Sequence, residues 1–418
     1  VKIVNAVILL LLALVSVVCA QEHHNHAAMH MDMQQPTWGG EFASGTSWQP
    51  LSSPQFMWMT AVGSWNLMFH GELFLEYDQQ GGPRGVGKAA STNWLMMMQD
   101  HKLGKGSVEF REMLSAEPLT IPHPGLPTLF QTGETYHGHP LVDYQHPHDV
   151  FGELAVRFSY PLSDRLSWFI YGGPAGEPAL GPTAFIHRVS AMENPAPPLG
   201  HHLQDSTHIT YGVVSTGFIA GPVKLEGSAF NGREPDEKRY NFDLAPLDSF
   251  SGRITVAPSR NWTMQYSAGH LVKPEVLEPG NLNRQTASIT YNRPLTRGYW
   301  ASSLIWGRNH KQHDNAIGNS YLFESTLNFA EKNYAYTRLE LVDKDELDLA
   351  PPLDHQSFRI GACTFGAVRD LIHNRVGQIG IGADVTFYSK PAILNPIYGS
   401  DPVSFHIFLR FRPGKMKH

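Results

Sequence analysis

The chain has 418 residues, with 32 Lys and Arg against 38 Asp and Glu and a formal net charge of −6. Charged residues are 17% of it and aromatics 11%, with 38 Gly and 30 Pro. That balance excludes the basic surface of a nucleic-acid binder and suits many short strands separated by turns.

Residues 1–20 open with Lys2, continue through an apolar run over 7–18 and end on Cys19-Ala20, the pattern of a cleaved secretory signal peptide. Cys363 is then the single cysteine of the exported chain, so an intramolecular disulfide and a Cys-based zinc site are both excluded. No later apolar run reaches the roughly 18 residues of a membrane helix. A membrane crossing by this chain therefore has to be a closed barrel, because lipid leaves no unpaired backbone group satisfied.

Residues 21–60 read as a His/Met-rich periplasmic tail and a lead-in. His23, His24, His26, Met29, His30, Met31 and Met33 interleave imidazole with thioether. Nitrogen suits Cu(II) and thioether suits Cu(I), so this segment is a candidate copper contact, set against a solvated tail that binds metals only weakly.

From residue 64 the strand pattern begins. Trp65, Leu67, Phe69, Leu73, Leu75 and Tyr77 alternate with Asn66, Met68, His70, Glu72, Phe74, Glu76 and Asp78. Further candidates lie at 92–101, 107–116, 150–160, 165–171, 208–218, 223–231, 249–257 and 262–272. The series continues at 284–292, 299–309, 320–329, 334–342, 357–366 and 376–388, and ends at 403–412. The last is the clearest. Val403, Phe405, Ile407, Leu409 and Phe411 share one face, and Ser404, His406, Phe408, Arg410 and Arg412 share the other. It has the length of a tilted membrane-crossing strand.

Short connections take turns with long ones along the chain. Residues 161–164, 219–222 and 367–375 are short, whereas 117–149, 172–207 and 232–248 are long. Tight periplasmic turns and extended outer loops alternate in this way in an outer-membrane barrel. The expected fold is all-β: an up-and-down transmembrane barrel over residues 61–412, of about sixteen antiparallel strands (fourteen to eighteen), with residues 413–418 as a C-terminal tail. The partner surface is outer-membrane lipid.

The two longest loops carry the chemistry. His123, Glu134, His137, His139, Asp143, His146, His148 and Asp149 crowd into 117–149, and His187, His201, His202, Asp205 and His208 follow in and just after 172–207. His137, His139, His146 and His148 are the candidate loop ligands for zinc, copper or another divalent metal. Their spacing matches no standard motif. The structural alternative is a plug of Pro-rich loops held over or in the lumen by His–Asp hydrogen bonds. Gly82–Lys88 fits phosphate-loop spacing, but Ala89 replaces the required Ser or Thr and no helix follows, so it is rejected.

The face expected inward carries Glu72, Glu76, Glu109, Arg111, Glu153, Arg157, Lys224, Glu226, Arg253, Glu324, Arg338, Glu340, Arg359, Asp384 and Arg410. Both signs occur, which argues for pairing across strands and against a one-sign selectivity field. No Gly-x-Ser-x-Gly elbow or His-Glu-x-x-His pattern occurs.

The runs T-G-E-T-Y (132–136), Q-H-P-H-D (145–149), L-G-H-H-L-Q-D-S-T-H (199–208) and A-F-N-G-R-E-P-D-E (229–237) resemble those of a bacterial envelope protein family. Its members sometimes occur beside heavy-metal efflux genes. The resemblance implies metal handling by association and brings no catalytic residues. The sequence thus reads as a passive outer-membrane channel or envelope component linked to copper or heavy-metal homeostasis, and not as an enzyme. A secreted, soluble β-rich metal-binding protein and a barrel enzyme such as a lipid hydrolase are the alternatives.

Overall fold

The computed structural model describes residues 40–354 and 356–416. The His/Met segment of residues 23–33 lies outside the described residues.

The strands close into one antiparallel barrel of 16 strands. Two positions in the wall are each built from two segments. The last strand, Val403–Pro413, pairs with the C-terminal half of Trp65–Gln79, Phe405 opposite Gln79 and Phe411 opposite Leu73. Met57–Val62 then covers the rest of that edge, Met57 opposite His70 and Val62 opposite Trp65. On the other edge of Trp65–Gln79, Gly87–Ala90 and Asn93–Leu103 share one position in the same way. The strands thereby close into a ring, which removes the long exposed ladder that an open sheet would present.

The alternation read from the sequence sets the polarity of the wall. Leu225 is 60% exposed, while its neighbours Lys224 and Glu226 are 0% and 5% exposed. In the last strand Val403, Phe405 and Ile407 face out, and Ser404, His406, Phe408 and Arg410 are buried inside. Phe250, Leu304, Phe365 and many others extend the exposed apolar surface around the circumference. Apolar outside and charged inside is the reverse of a soluble β-sandwich, whose inner faces interdigitate as an apolar core.

Tight turns join the strands at one end. Gly63, Gly104 and Gly221 stand there at φ 60°, 60° and 58°, the left-handed backbone that a twisted hairpin turn requires. At the other end the long connections 115–150 and 176–212 fold inward. Val189 of the second loop packs on inward-facing Phe74, Tyr299, Tyr334, Tyr336 and Phe408. Leu180 packs on Phe169, Tyr171, Leu271 and Leu282. Leu129, Phe130, Leu199 and Leu203 join inward-facing Val342, Ile360 and Ala362. These loops occupy much of the lumen.

The lead-in enters the same space. Glu41–Phe42 pairs with Trp48–Gln49 as a short hairpin, and Ser44, Thr46, Ser47 and Trp48 are buried. Arg111 Nη2 donates to the Ala43 carbonyl at 2.8 Å, Arg253 Nη2 to Thr46 Oγ1 at 3.0 Å, and Lys224 Nζ to the Thr46 carbonyl.

Four sequence expectations change. Met57–Val62 is a wall strand, unread because M-W-M-T-A-V does not alternate. Gly87–Ala90 belongs to the wall although residues 79–91 read as a loop. Residues 208–212 belong to the filled interior, Gly176 bridging Thr210, so that strand starts at Val213. Phe358–His373 runs through the supposed turn 367–375, and the chain reverses at Asn374, whose Oδ1 accepts from the backbone N–H of Val376 and Gly377 at 2.9 Å. Arg359 is also corrected: it faces out near the strand end, paired with Asp343 at 2.8 Å, because a long side chain there reaches water beyond the apolar surface.

Two glycines let inner aromatics lie flat on the wall. A Cβ at Gly366 would meet Tyr336 Cζ at 2.1 Å, and one at Gly382 would meet Phe408 Cζ at 2.4 Å. Tyr336 spans the glycine to donate to Asp384 Oδ2 at 2.7 Å. Gly366→Val forces this ring off its site and is expected to cost about 1–3 kcal/mol, the usual penalty of overpacking. The check is a lower temperature for loss of the SDS-resistant, fast-migrating barrel band.

Candidate functional site

The interior depends on charges that pair with the filling loops as well as across strands. Arg188, in loop 176–212, puts Nε 2.7 Å from Glu324 Oε2 and Nη1 3.2 Å from Asp205 Oδ2. Arg338 of the wall holds the other Glu324 oxygen at 3.0 Å and donates to the Ala196 carbonyl at 2.7 Å. Glu340 accepts the Leu199 N–H at 2.6 Å. Arg253 donates to the Gly181 carbonyl at 2.9 Å, and Arg284 to Ser206 Oγ at 2.7 Å. Apart from the short helical turns at Phe185–His187, His201–Gln204 and Ser206–His208, loop 176–212 is irregular. Buried peptide groups in it therefore need outside partners, and wall arginines and carboxylates supply several of them.

Within this interior the two His-rich loops meet. Glu134 begins the strand Glu134–Tyr136, which pairs with His139–Leu141. Tyr144–Gln145 pairs with Leu126–Pro127, and Pro147 keeps the chain extended through His146 and His148. Opposite them, the one-turn helix His201–Gln204 presents His201 and His202. Gly133, at φ +109°, allows the chain to press against the His202 ring, where a Cβ would sit 2.5 Å from Cγ.

Three side chains converge at one point. His146 Nε2 is 2.6 Å from Glu134 Oε1, and His202 Nε2 is 3.9 Å from that oxygen. The ligand atoms of Glu134, His146 and His202 all lie within 4.8 Å of one another. His146 Nδ1 is 2.9 Å from the Pro147 carbonyl. A carbonyl only accepts, so that nitrogen carries the proton and Nε2 offers a lone pair. His202 Nδ1 is 3.2 Å from Glu234 Oε1, and its Nε2 is buried without a hydrogen-bond partner. Burial pushes the Glu134 and Glu234 carboxyls up and the His146 and His202 imidazoles down, His202 to about 4. This is a group of neutral imidazoles and carboxyls that sheds charge unless a cation joins it.

A second histidine pair serves a different end. His208 Nδ1 is 2.9 Å from the Asp205 carbonyl, so its Nε2 accepts. His148 Nε2 faces that nitrogen at 3.2 Å, and His148 Nδ1 faces Glu117 Oε2 at 2.9 Å. His148 therefore donates from both nitrogens, as an imidazolium does. Burial pulls His148 down, but the Glu117 carboxylate outweighs it, and the net pKa is raised.

Of the loop residues singled out by sequence, the structure thus brings His146 into the three-ligand group and places His148 beside it in a proton-bound pair. His137 is exposed, its Nδ1 3.6 Å from Glu237 Oε2, and His139 is exposed on the same outer hairpin. Neither joins the cluster. Glu134 and His202 were visible in the T-G-E-T-Y and L-G-H-H-L-Q-D runs, but their pairing with each other was not. Two small cavities flank the group, one lined by Glu117, His146, His148 and Trp94, the other by Gly133, His202, Lys311, Lys344 and Glu346.

No family model and no curated protein matches the sequence. Solved structures do match the fold. An anion-selective porin from Comamonas acidovorans superposes at a TM-score of 0.52, with 10% identity, over 83% of this chain and 99% of the porin. OprB of Pseudomonas putida gives 0.53 at 8% identity, over 83% of this chain and 94% of its own. OmpF of Salmonella typhi, in complex with daunomycin, gives 0.50 at 9% identity, over 85% and 100%. At these identities what is shared is the barrel fold.

The Glu324 anchor makes a prediction. Glu324→Leu leaves Arg188 and Arg338 each short of a buried partner, and such a loss costs about 3–5 kcal/mol. Hydrogen exchange is expected to rise in amides 183–208 while the wall strand Ile317–Phe329 stays protected. Equal exchange in both would mean that the anchor does not hold the loop.

Proposed function

We propose that the chain is an outer-membrane barrel that crosses the lipid as a closed cylinder and acts as a passive, narrowed channel or envelope component for small polar solutes. The carrying observation is the polarity of the wall: exposed Leu225, Phe365 and Ile407 outside, buried Lys224, Glu226 and Arg410 inside. An exterior this apolar needs lipid, and a closed ladder lets the backbone enter it. Loop 176–212 and the lead-in narrow the path that an unfilled barrel of this size would leave. The mixed signs of the inner wall favour weak ion selectivity.

Metal handling belongs to the same reading. The His23–His24–His26–Met29–His30–Met31–Met33 segment has the ligand types for copper, and the resemblance to an envelope family near heavy-metal efflux genes points the same way. Copper titration of the exported chain with and without residues 21–33 is expected to show most equivalents lost with the segment. Unchanged binding would remove it from the account.

Two measurements test the barrel reading. Ile407→Arg puts a charge on the lipid face and is expected to lower folding into bilayers by about 2–4 kcal/mol if Ile407 sits near the midplane. In planar bilayers the native chain is expected to conduct weakly, and Glu324→Leu to raise conductance or its fluctuation. A native chain that stays soluble and monodisperse without detergent would overturn the membrane assignment.

A further inference from the structure

We propose that Glu134, His146 and His202 form a binding site for one divalent transition-metal ion of the zinc class, built where three separate loops meet inside the barrel. The inference rests on these side chains alone and holds whether or not the barrel conducts.

The donor set is two imidazole nitrogens and one carboxylate oxygen, a set that zinc takes with a fourth position left for water or another ligand. Both donor nitrogens are prepared. His146 has its proton committed to the Pro147 carbonyl at 2.9 Å, and His202 has its Nδ1 against Glu234 at 3.2 Å. A carbonyl or carboxylate behind each ligating ring fixes its orientation and makes the other nitrogen a better donor. His202 Nε2 is the independent sign of a missing ligand: it is buried, aimed at Glu134, and bonded to nothing. A buried polar atom left in this way is costly, and a bound cation satisfies it.

Distances agree. Zinc bonds of about 2.0–2.1 Å in a tetrahedron set neighbouring ligand atoms about 3.3 Å apart. The observed 2.6 Å and 3.9 Å from Glu134 Oε1 to the two Nε2 atoms bracket that value, and all three ligand atoms lie within 4.8 Å of one another, so the side chains need to shift but not to be replaced to close on one ion. Two carboxyl groups, Glu134 and Glu234, stand at the site, while the nearby guanidinium of Arg239 meets Asp149 at 3.4 Å. A small cavity lies beside each imidazole, one at His146 and one at His202.

The site also joins loops that the wall holds separately. Glu134 and His146 come from residues 115–150, His202 from 176–212, and the supporting Glu234 from 231–248. A bound ion therefore fastens the outer loops to the filled interior.

The test is metal titration of the full exported chain in detergent after chelator treatment, using Zn²⁺ and, as a visible probe, Co²⁺. His202→Asn is compared with the native chain. Both carry the same N-terminal His/Met segment, so its contribution cancels in the difference. The native chain is expected to bind one equivalent more than H202N and to show the Co²⁺ absorption of a low-coordinate nitrogen–oxygen site, which H202N lacks. Glu234→Gln keeps all three ligands and is expected to weaken binding about 10- to 100-fold, the usual effect of losing a ligand's support. Heat-modifiable migration in SDS checks that each variant is folded. If H202N does not fold, Glu134→Gln replaces it, read by loss of the Zn²⁺-dependent rise in unfolding temperature seen in the native chain. Equal stoichiometry and affinity in native chain and variants would overturn the site and leave the three residues as a hydrogen-bonded cluster. Failure of the barrel to insert in lipid would not.

Discussion

The hydrogen-bonded seam between Trp65–Gln79 and Val403–Pro413 is the constraint on which the rest depends. In the lipid setting proposed for it, an apolar exterior cannot tolerate a free strand edge, because unpaired N–H and C=O groups have no partner in hydrocarbon. Once the ladder closes, every second side chain of every strand is enclosed. The sequence places arginines, lysines and carboxylates at those positions, so closure creates the problem that the loops then solve. Met57–Val62 completes the closure where the last strand leaves the wall.

Enclosed charge is expensive unless it is paired and hydrogen-bonded. Glu324 shows how the chain manages it, with Arg188 of the loop on one oxygen and Arg338 of the wall on the other. Arg410 and Arg412 meet Glu193 of the same loop, and Arg253 meets both Glu226 and the loop backbone. Two of the wall arginines serve twice: Arg338 and Arg253 each pair with a buried carboxylate and also donate to a loop carbonyl, Ala196 and Gly181, in a segment that has no ladder of its own. The interior is consequently specific rather than merely full. Aromatic side chains lying over Gly366 and Gly382 add packing between these polar anchors.

The histidines divide by what stands behind them. His148 and His208 face each other through nitrogens that share a proton, with Glu117 compensating the charge. His146 and His202 turn their Nε2 atoms toward Glu134, with the Pro147 carbonyl and the Glu234 carboxyl group behind their other nitrogens. Residues two positions apart in Q-H-P-H-D therefore play different roles. Neither role follows from being a histidine in a His-rich loop.

Most of the wall was legible in the sequence. Side-chain alternation is a local property of extended backbone, so residues 403–412 declared their faces without any tertiary information, and the strand count and the alternation of short and long connections followed. Where alternation fails, as in M-W-M-T-A-V at Met57–Val62, so did the reading. Arg359 obeyed the wrong parity because the face of a strand end is set by the register with its neighbours. Loop paths were out of reach for a deeper reason. Arg188 meets Glu324 across 136 positions, and that anchor helps decide where His202 lies. The sequence by itself determined a closed wall with oil outside and charge inside. Only the tertiary structure decided which loops fill it and which four side chains from three loops meet, because that encounter is fixed by long-range pairing and not by any local period.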